Sequence, residues 1–74
     1  MKKREEEKWK KEFSTRIKNR LVVLDMTQLE LSKRTGIPMT SIYYYVNGIT
    51  VPKSTVIPKL AKGLMVSVSY LIEH

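Results

Sequence analysis

Apolar residues recur along the first third of the chain at helical intervals. Trp9, Phe13, Ile17, Leu21 and Leu24 follow one another at spacings of four, four, four and three, one stripe on a long first helix. Thr27 then offers a cap for a second helix: Glu30 stands three residues on, the capping-box spacing, and Met26 is placed to staple onto Leu31. Leu31 faces inward, and Gly36 stops this helix by accepting a left-handed backbone. Pro38 fits the first turn of a third helix, where its missing N–H and fixed φ cost nothing. Ile42 and Tyr45 are the inward residues of that helix. Asn47-Gly48 ends it, and Val51-Pro52-Lys53 reads as loop. Two more helices are predicted over roughly 54–64 and 67–72, with Ser67 as the cap of the last. The β-branched residues never alternate with polar ones over a useful length, so no strand is expected. The predicted fold is all-α, five helices with an extended first one.

Length limits this pattern to one domain. A chain of 74 residues buries only about 60% of its unfolded surface and does not support a second core. Residues 1–12 are expected to be a charged N-terminal extension of the first helix, and 13–74 the folded domain. There are no cysteines, which excludes disulfides and thiolate metal sites and fits a reducing cytosol. The Met-Lys-Lys-Arg opening resembles the start of a secretory signal, but Glu5, Glu6, Glu7 and Lys8 fill the place of an apolar core. The most apolar stretch, 64–72, is too short to span a bilayer. The only His is the last residue, and nothing resembles a nucleophile with its base, a ligand cluster or a phosphate loop. The chain reads as a binding module, with no enzyme activity, cofactor, metal or small-molecule ligand expected.

Charge indicates what it binds. The formal net charge is +7 and the pI about 9.9, which points to a polyanionic partner. Distribution says more than the total. Between Glu30 and Glu73 there is no acid, while Lys33, Arg34, Lys53, Lys59 and Lys62 fall in that interval. A surface that approaches phosphates does not tolerate carboxylates. Residues 1–16 mix seven basic and four acidic residues. There Glu6–Lys10 and Glu7–Lys11 are favourable i,i+4 pairs, so this run reads as solvated helix first and DNA arm second.

The stretch 27–48 is a short helix, a turn entered through Gly36, and a second short helix ended by Asn47-Gly48. That is the spacing of a helix-turn-helix. Small Ser32 lets the two helices approach, and Ile37, Ile42 and Tyr45 fill the wedge between them. The stretch resembles the DNA-binding domain of Cro/CI-type phage repressors and their bacterial relatives, the lambda-repressor-like fold. The resemblance rests on the Thr27-Gln28 opening, the Thr35-Gly36-Ile37 turn and the Asn47-Gly48 ending. Downstream, Pro52, Lys59-Leu60-Ala61-Lys62 and Val66-Ser67-Val68-Ser69-Tyr70-Leu71 fall where that family has its fourth and fifth helices. It covers residues 13–72.

Departures from the family concern helix boundaries. Ser32 stands where the family usually has Ala. Arg20 takes a position often kept apolar, so either the first helix is slightly rotated or Arg20 lies along the surface. Met65 replaces the Gly that usually ends the fourth helix, with Gly63 two residues earlier. Pro58 falls inside the expected fourth helix, where a missing N–H bond costs roughly 3 kcal/mol. If Thr55 rather than Lys53 caps that helix, Pro58 lies in its first turn and the cost disappears.

The resemblance implies a regulator that binds double-stranded operator DNA as a dimer, in the bacterial cytoplasm and on DNA, with helix 38–47 in the major groove. It implies phosphate contacts from Gln28, Asn47, Lys53 and Ser54, although Asn47 also reads as a plain C-terminal stop. Helix geometry leaves Met39, Thr40, Tyr43 and Tyr44 to face a groove and read bases, with Tyr43 tending toward the phosphates. The last helix carries Val68, Leu71 and Ile72, more apolar surface than a solvent-facing helix shows. A weak homodimer through these residues is expected; the alternative is that Leu71 packs into the core. The competing function is a protein-interaction module on the same scaffold, such as an antitoxin or anti-repressor domain. The acid-free face bearing Gln28, Thr40 and Asn47 favours DNA.

Overall fold

The computed structural model describes the backbone of residues 2–72 and the side chains of residues 7–72. Five helices follow in order, α1 Lys2–Val23, α2 Gln28–Thr35, α3 Met39–Val46, α4 Ile57–Gly63 and α5 Val68–Ile72. No strand occurs among the described residues. Phe13, Ile17 and Leu21 of α1 are buried as the stripe predicts, with Trp9 and Leu24 half-buried against the same core. The Trp9 and Phe13 rings stack with centroids 5.3 Å apart and planes 15° from parallel. α1 runs unbroken across residues 12 and 13, and packing extends outward to Trp9. The Glu6–Lys10 pairing lies outside the described side chains.

The capping box of α2 forms. The Glu30 N–H donates to Thr27 Oγ1 at 3.1 Å, and the Thr27 N–H donates to Glu30 Oε1 at 3.2 Å. Gly36, at φ +78°, ends the helix by donating its N–H to the Ser32 carbonyl. Ser32 also explains its own departure from Ala, because its hydroxyl donates to the Ile37 carbonyl at 2.6 Å and latches the turn. Pro38 stands one residue earlier than expected, as the cap of α3 rather than inside its first turn. Its fixed φ suits that place too: ψ is extended at 143°, and its carbonyl accepts the first helical bond from the Ile42 N–H.

α4 begins at Ile57, later than position 54, because residues 54–56 form a turn whose Val56 N–H donates to the Lys53 carbonyl. Val56, not Thr55, is the cap. Pro58 therefore sits in the first turn and forfeits no bond. Beyond α4, Met65 adopts the left-handed conformation itself at φ +58°, and the Val66 N–H closes onto the Ala61 carbonyl. Asp25 ends α1 in the same way at φ +51°, with the Met26 N–H on the Leu21 carbonyl. Arg20 lies half-buried and donates from Nε to the Leu64 carbonyl at 3.1 Å, tying α1 to the end of α4. Ser67 caps α5 by accepting the Tyr70 N–H. No helix among the described residues is long and apolar enough to cross a membrane.

Where α4 crosses α2, Gly63 leaves no room for a side chain. A Cβ there overlaps Thr35 Cγ2 and falls 3.2 Å from Leu31 Cδ1. Thr35 is held in place, because its hydroxyl donates to the Leu31 carbonyl and accepts the Ile37 N–H. Gly63→Ala is expected to cost about 1–3 kcal/mol through overpacking. At about 4–8 °C per kcal/mol, the melting temperature falls visibly. Thr35→Ser, which deletes the methyl and keeps the hydroxyl, should restore much of that stability in the double variant. A Gly63→Ala protein that melts like the parent contradicts this packing.

Candidate nucleic-acid interface

α3 is short, and its two faces separate cleanly. Ile42, Tyr45 and Val46 are buried and seat the helix against α1 and α2. Met39, Thr40, Tyr43, Tyr44 and Asn47, spaced by one, three, one and three, form the outward face. The three consecutive tyrosines thus divide as their spacing requires. Tyr45 is in the core, while Tyr43 and Tyr44 are 51% and 42% exposed with ring centroids 6.1 Å apart. Met39 is 41% exposed, a large apolar side chain presented to solvent on a helix with no acid in its first turn.

The residues expected at phosphates lie at the start of α2, at the end of α3 and in the segment that follows it. Gln28 is the first residue of α2, half-buried, at the helix end where N–H groups point outward. Lys53 and Ser54 are exposed in the segment between α3 and α4. Asn47 closes α3 twice, through its backbone N–H and its Nδ2, both donating to the Tyr43 carbonyl at 3.0 and 2.8 Å. Its role as a helix stop is therefore seen directly.

The cations of the acid-free interval divide between two places. Lys53 is exposed in the segment between α3 and α4. Lys33 and Arg34 occupy the last turn of α2 and Lys62 that of α4, where positive charge suits the helix dipole. Arg34, Lys59 and Lys62 share a shallow groove with Thr35 and Gly63 that includes no α3 residue.

One sequence-based expectation changes here. Val68, Leu71 and Ile72 do not form one surface: Leu71 is 0% exposed within the core, while Val68 and Ile72 face outward. α5 packs on α1 and α4, and a five-residue helix has one inward position free of its caps, which Leu71 takes. The fold adds a feature on α1. Lys10 and Lys11 from the run read as solvated helix, together with Lys18, line a groove with Asn47 and Gly48 at the end of α3. Their spacing carries the signal, since 7, 11, 14 or 15, and 18 fall on one helical face, but only the fold shows what that face meets. Among the described residues no group of His, Cys, Asp or Glu has the makings of a metal site.

Comparison with known proteins agrees with this architecture. A family model described as Helix-turn-helix matches residues 17–71, from the last third of α1 through Leu71 of α5. No curated protein and no solved structure matches the chain. Members of the matched family are DNA-binding transcription regulators and generally not enzymes. The match spans most of the sequence and all four helices beyond α1, so the chain belongs to the Cro/CI-type helix-turn-helix family.

Proposed function

We propose that this domain is a sequence-specific regulator, a repressor of phage or bacterial origin, that inserts α3 into the major groove of double-stranded operator DNA. The observation that carries this reading is the outward face of α3, with Met39, Thr40, Tyr43 and Tyr44 exposed in an interval without a carboxylate. Gln28, Asn47, Lys53 and Ser54 then hold the phosphates on either side and fix register without reading sequence. One recognition helix buries too little surface for specific affinity, so two copies occupy half-sites about 34–36 Å apart. Val68 and Ile72 are the apolar residues available to a weak homodimer at the α5 end.

Met39, Thr40 and Tyr44 lack the fork of Arg and the paired donor and acceptor of Gln. Their chemistry is apolar contact plus two hydroxyls. The apolar partner in the major groove is the thymine C5-methyl. Selection from random duplexes should therefore yield half-sites containing one or two thymines opposite Met39 and Thr40. Replacing such a thymine with uracil is expected to cost about 1 kcal/mol, close to the roughly 0.8 kcal/mol of a buried CH₂. Met39→Ala should cost about as much and erase the difference between the two bases. Uracil tolerated at every position, with specificity abolished instead by Lys33→Ala or Arg34→Ala, overturns the assignment of base readers. No binding to any duplex at low salt favours the protein-interaction module.

A further inference from the structure

We propose that the groove between α1 and the end of α3 is a second binding site for the DNA sugar-phosphate backbone, continuous with the recognition face. The proposal rests on the reading of α3 as the major-groove element and extends the DNA-binding surface onto the long first helix. Lys10, Lys11 and Lys18 line the groove from α1, with Ser14 and Thr15 between them, and Asn47 and Gly48 close it from α3. Among the described residues, Glu7, one turn farther out, supplies the one carboxylate of the lining. Lys18 has no acidic residue three or four positions away on α1, so its charge is not offset along its own helix.

These cations are held at a fixed place relative to α3. The Ser14 hydroxyl donates to the Val46 carbonyl in the last turn of α3. The turn beyond α3 lies against the α1 backbone: a Cβ on Gly48 meets the Lys10 carbonyl oxygen and Ser14 Cβ, each at 3.7 Å. Stacking of Trp9 on Phe13 anchors the outer turns of α1 to the core. Lys11 and Lys18 stand about 10 Å apart along the helix at ~1.5 Å per residue. One strand of B-DNA presents a charge every ~3.4 Å of axis, so this span meets more than one phosphate. A strand that reaches Asn47 passes the mouth of the groove. Ammonium groups are well suited to it, as compact point charges that do not demand one geometry.

The test is affinity for a random-sequence duplex across a salt series. The parent protein is compared with the triple variant Lys10→Ala/Lys11→Ala/Lys18→Ala and with Arg34→Ala/Lys59→Ala/Lys62→Ala, which removes the same charge from the other basic groove. The first variant is expected to flatten the slope of log K against log salt by about 0.9 for each phosphate left without its cation, roughly two to three phosphates in all. Relative to 1 M, where this contribution vanishes, that corresponds to roughly 60- to 500-fold weaker affinity near 0.1 M salt, with unchanged circular dichroism. The second variant should leave the slope as it is. Equal flattening by both variants, or by neither, overturns the groove while leaving the parent's DNA binding intact. A parent protein that binds no duplex at low salt overturns both readings. Lys18→Gln, a single exposed change, carries the same test with a slope change of about 0.9 if the triple variant does not fold.

Discussion

Leu71→Glu is expected to unfold the domain. Leu71 is fully buried in the same cluster as Phe13, Ile17, Leu60 and Leu64, where α5 closes over α1 and α4. Removing a buried leucine side chain costs about 2–5 kcal/mol through forfeited transfer energy and the cavity left behind. A carboxylate forced into that place adds several kcal/mol more unless it is paired. Domains of this size hold roughly 0.05–0.15 kcal/mol per residue, so the substitution consumes most or all of the stability. Helical circular dichroism at 25 °C and a thermal melt report it. Leu71→Ala should fold and melt at a lower temperature, while Val68→Glu and Ile72→Glu should cost far less than Leu71→Glu because both side chains keep more than a third of their surface in solvent. A Leu71→Glu protein with the parent's melting curve shows instead that the side chain faces a partner.

The contrast between Leu71 and the rest of the chain shows what a sequence like this discloses. Features set by neighbours in sequence are legible. The stripe from Trp9 to Leu24 is long enough for its period to define a face, and both halves of the Thr27–Glu30 box lie within one turn. Gly36 announces a left-handed turn because few other residues adopt one without cost. Leu71 is ambiguous for the opposite reason: α5 is only five residues long, and a period of 3.6 does not define a face over so short a run. Met65 shows a related limit. It ends α4 as Gly would, with the backbone strain of a side chain at φ +58°, and no residue type signals that.

The candidate interface is legible to the same degree. Ile42 and Tyr45 fix the inward side of α3, so the outward side follows from geometry alone, and Met39, Thr40, Tyr43 and Tyr44 are where spacing puts them. The groove on α1 is hidden in the sequence because Lys10 and Asn47 are far apart along it. A basic residue on an exposed helix has the same local signature whether it meets solvent or a phosphate. The bond from Ser14 to Val46 and the approach of Gly48 to the α1 backbone show, in the fold alone, that these lysines stand beside the end of α3.

Thr40→Glu should separate folding from DNA binding by moving them in opposite directions. Thr40 is exposed in the first turn of α3, a turn that holds no acid. A carboxylate there meets the positive end of the helix dipole, a gain of about 0.3–1 kcal/mol, so the melting temperature should hold or rise. The same carboxylate puts a negative charge on the outward face of α3, which carries none. Like charges brought together across an interface cost several kcal/mol. At about 1.4 kcal/mol per tenfold, duplex affinity is expected to fall by roughly 100-fold or more. Thr40→Gln, which keeps hydrogen bonding and adds no charge, should weaken binding far less. Titration of both variants with a labelled duplex, beside their melting curves, distinguishes the outcomes. A Thr40→Glu protein that is stable and binds DNA like the parent removes α3 from the groove. The exposed tyrosines of that helix would then belong to a contact with protein.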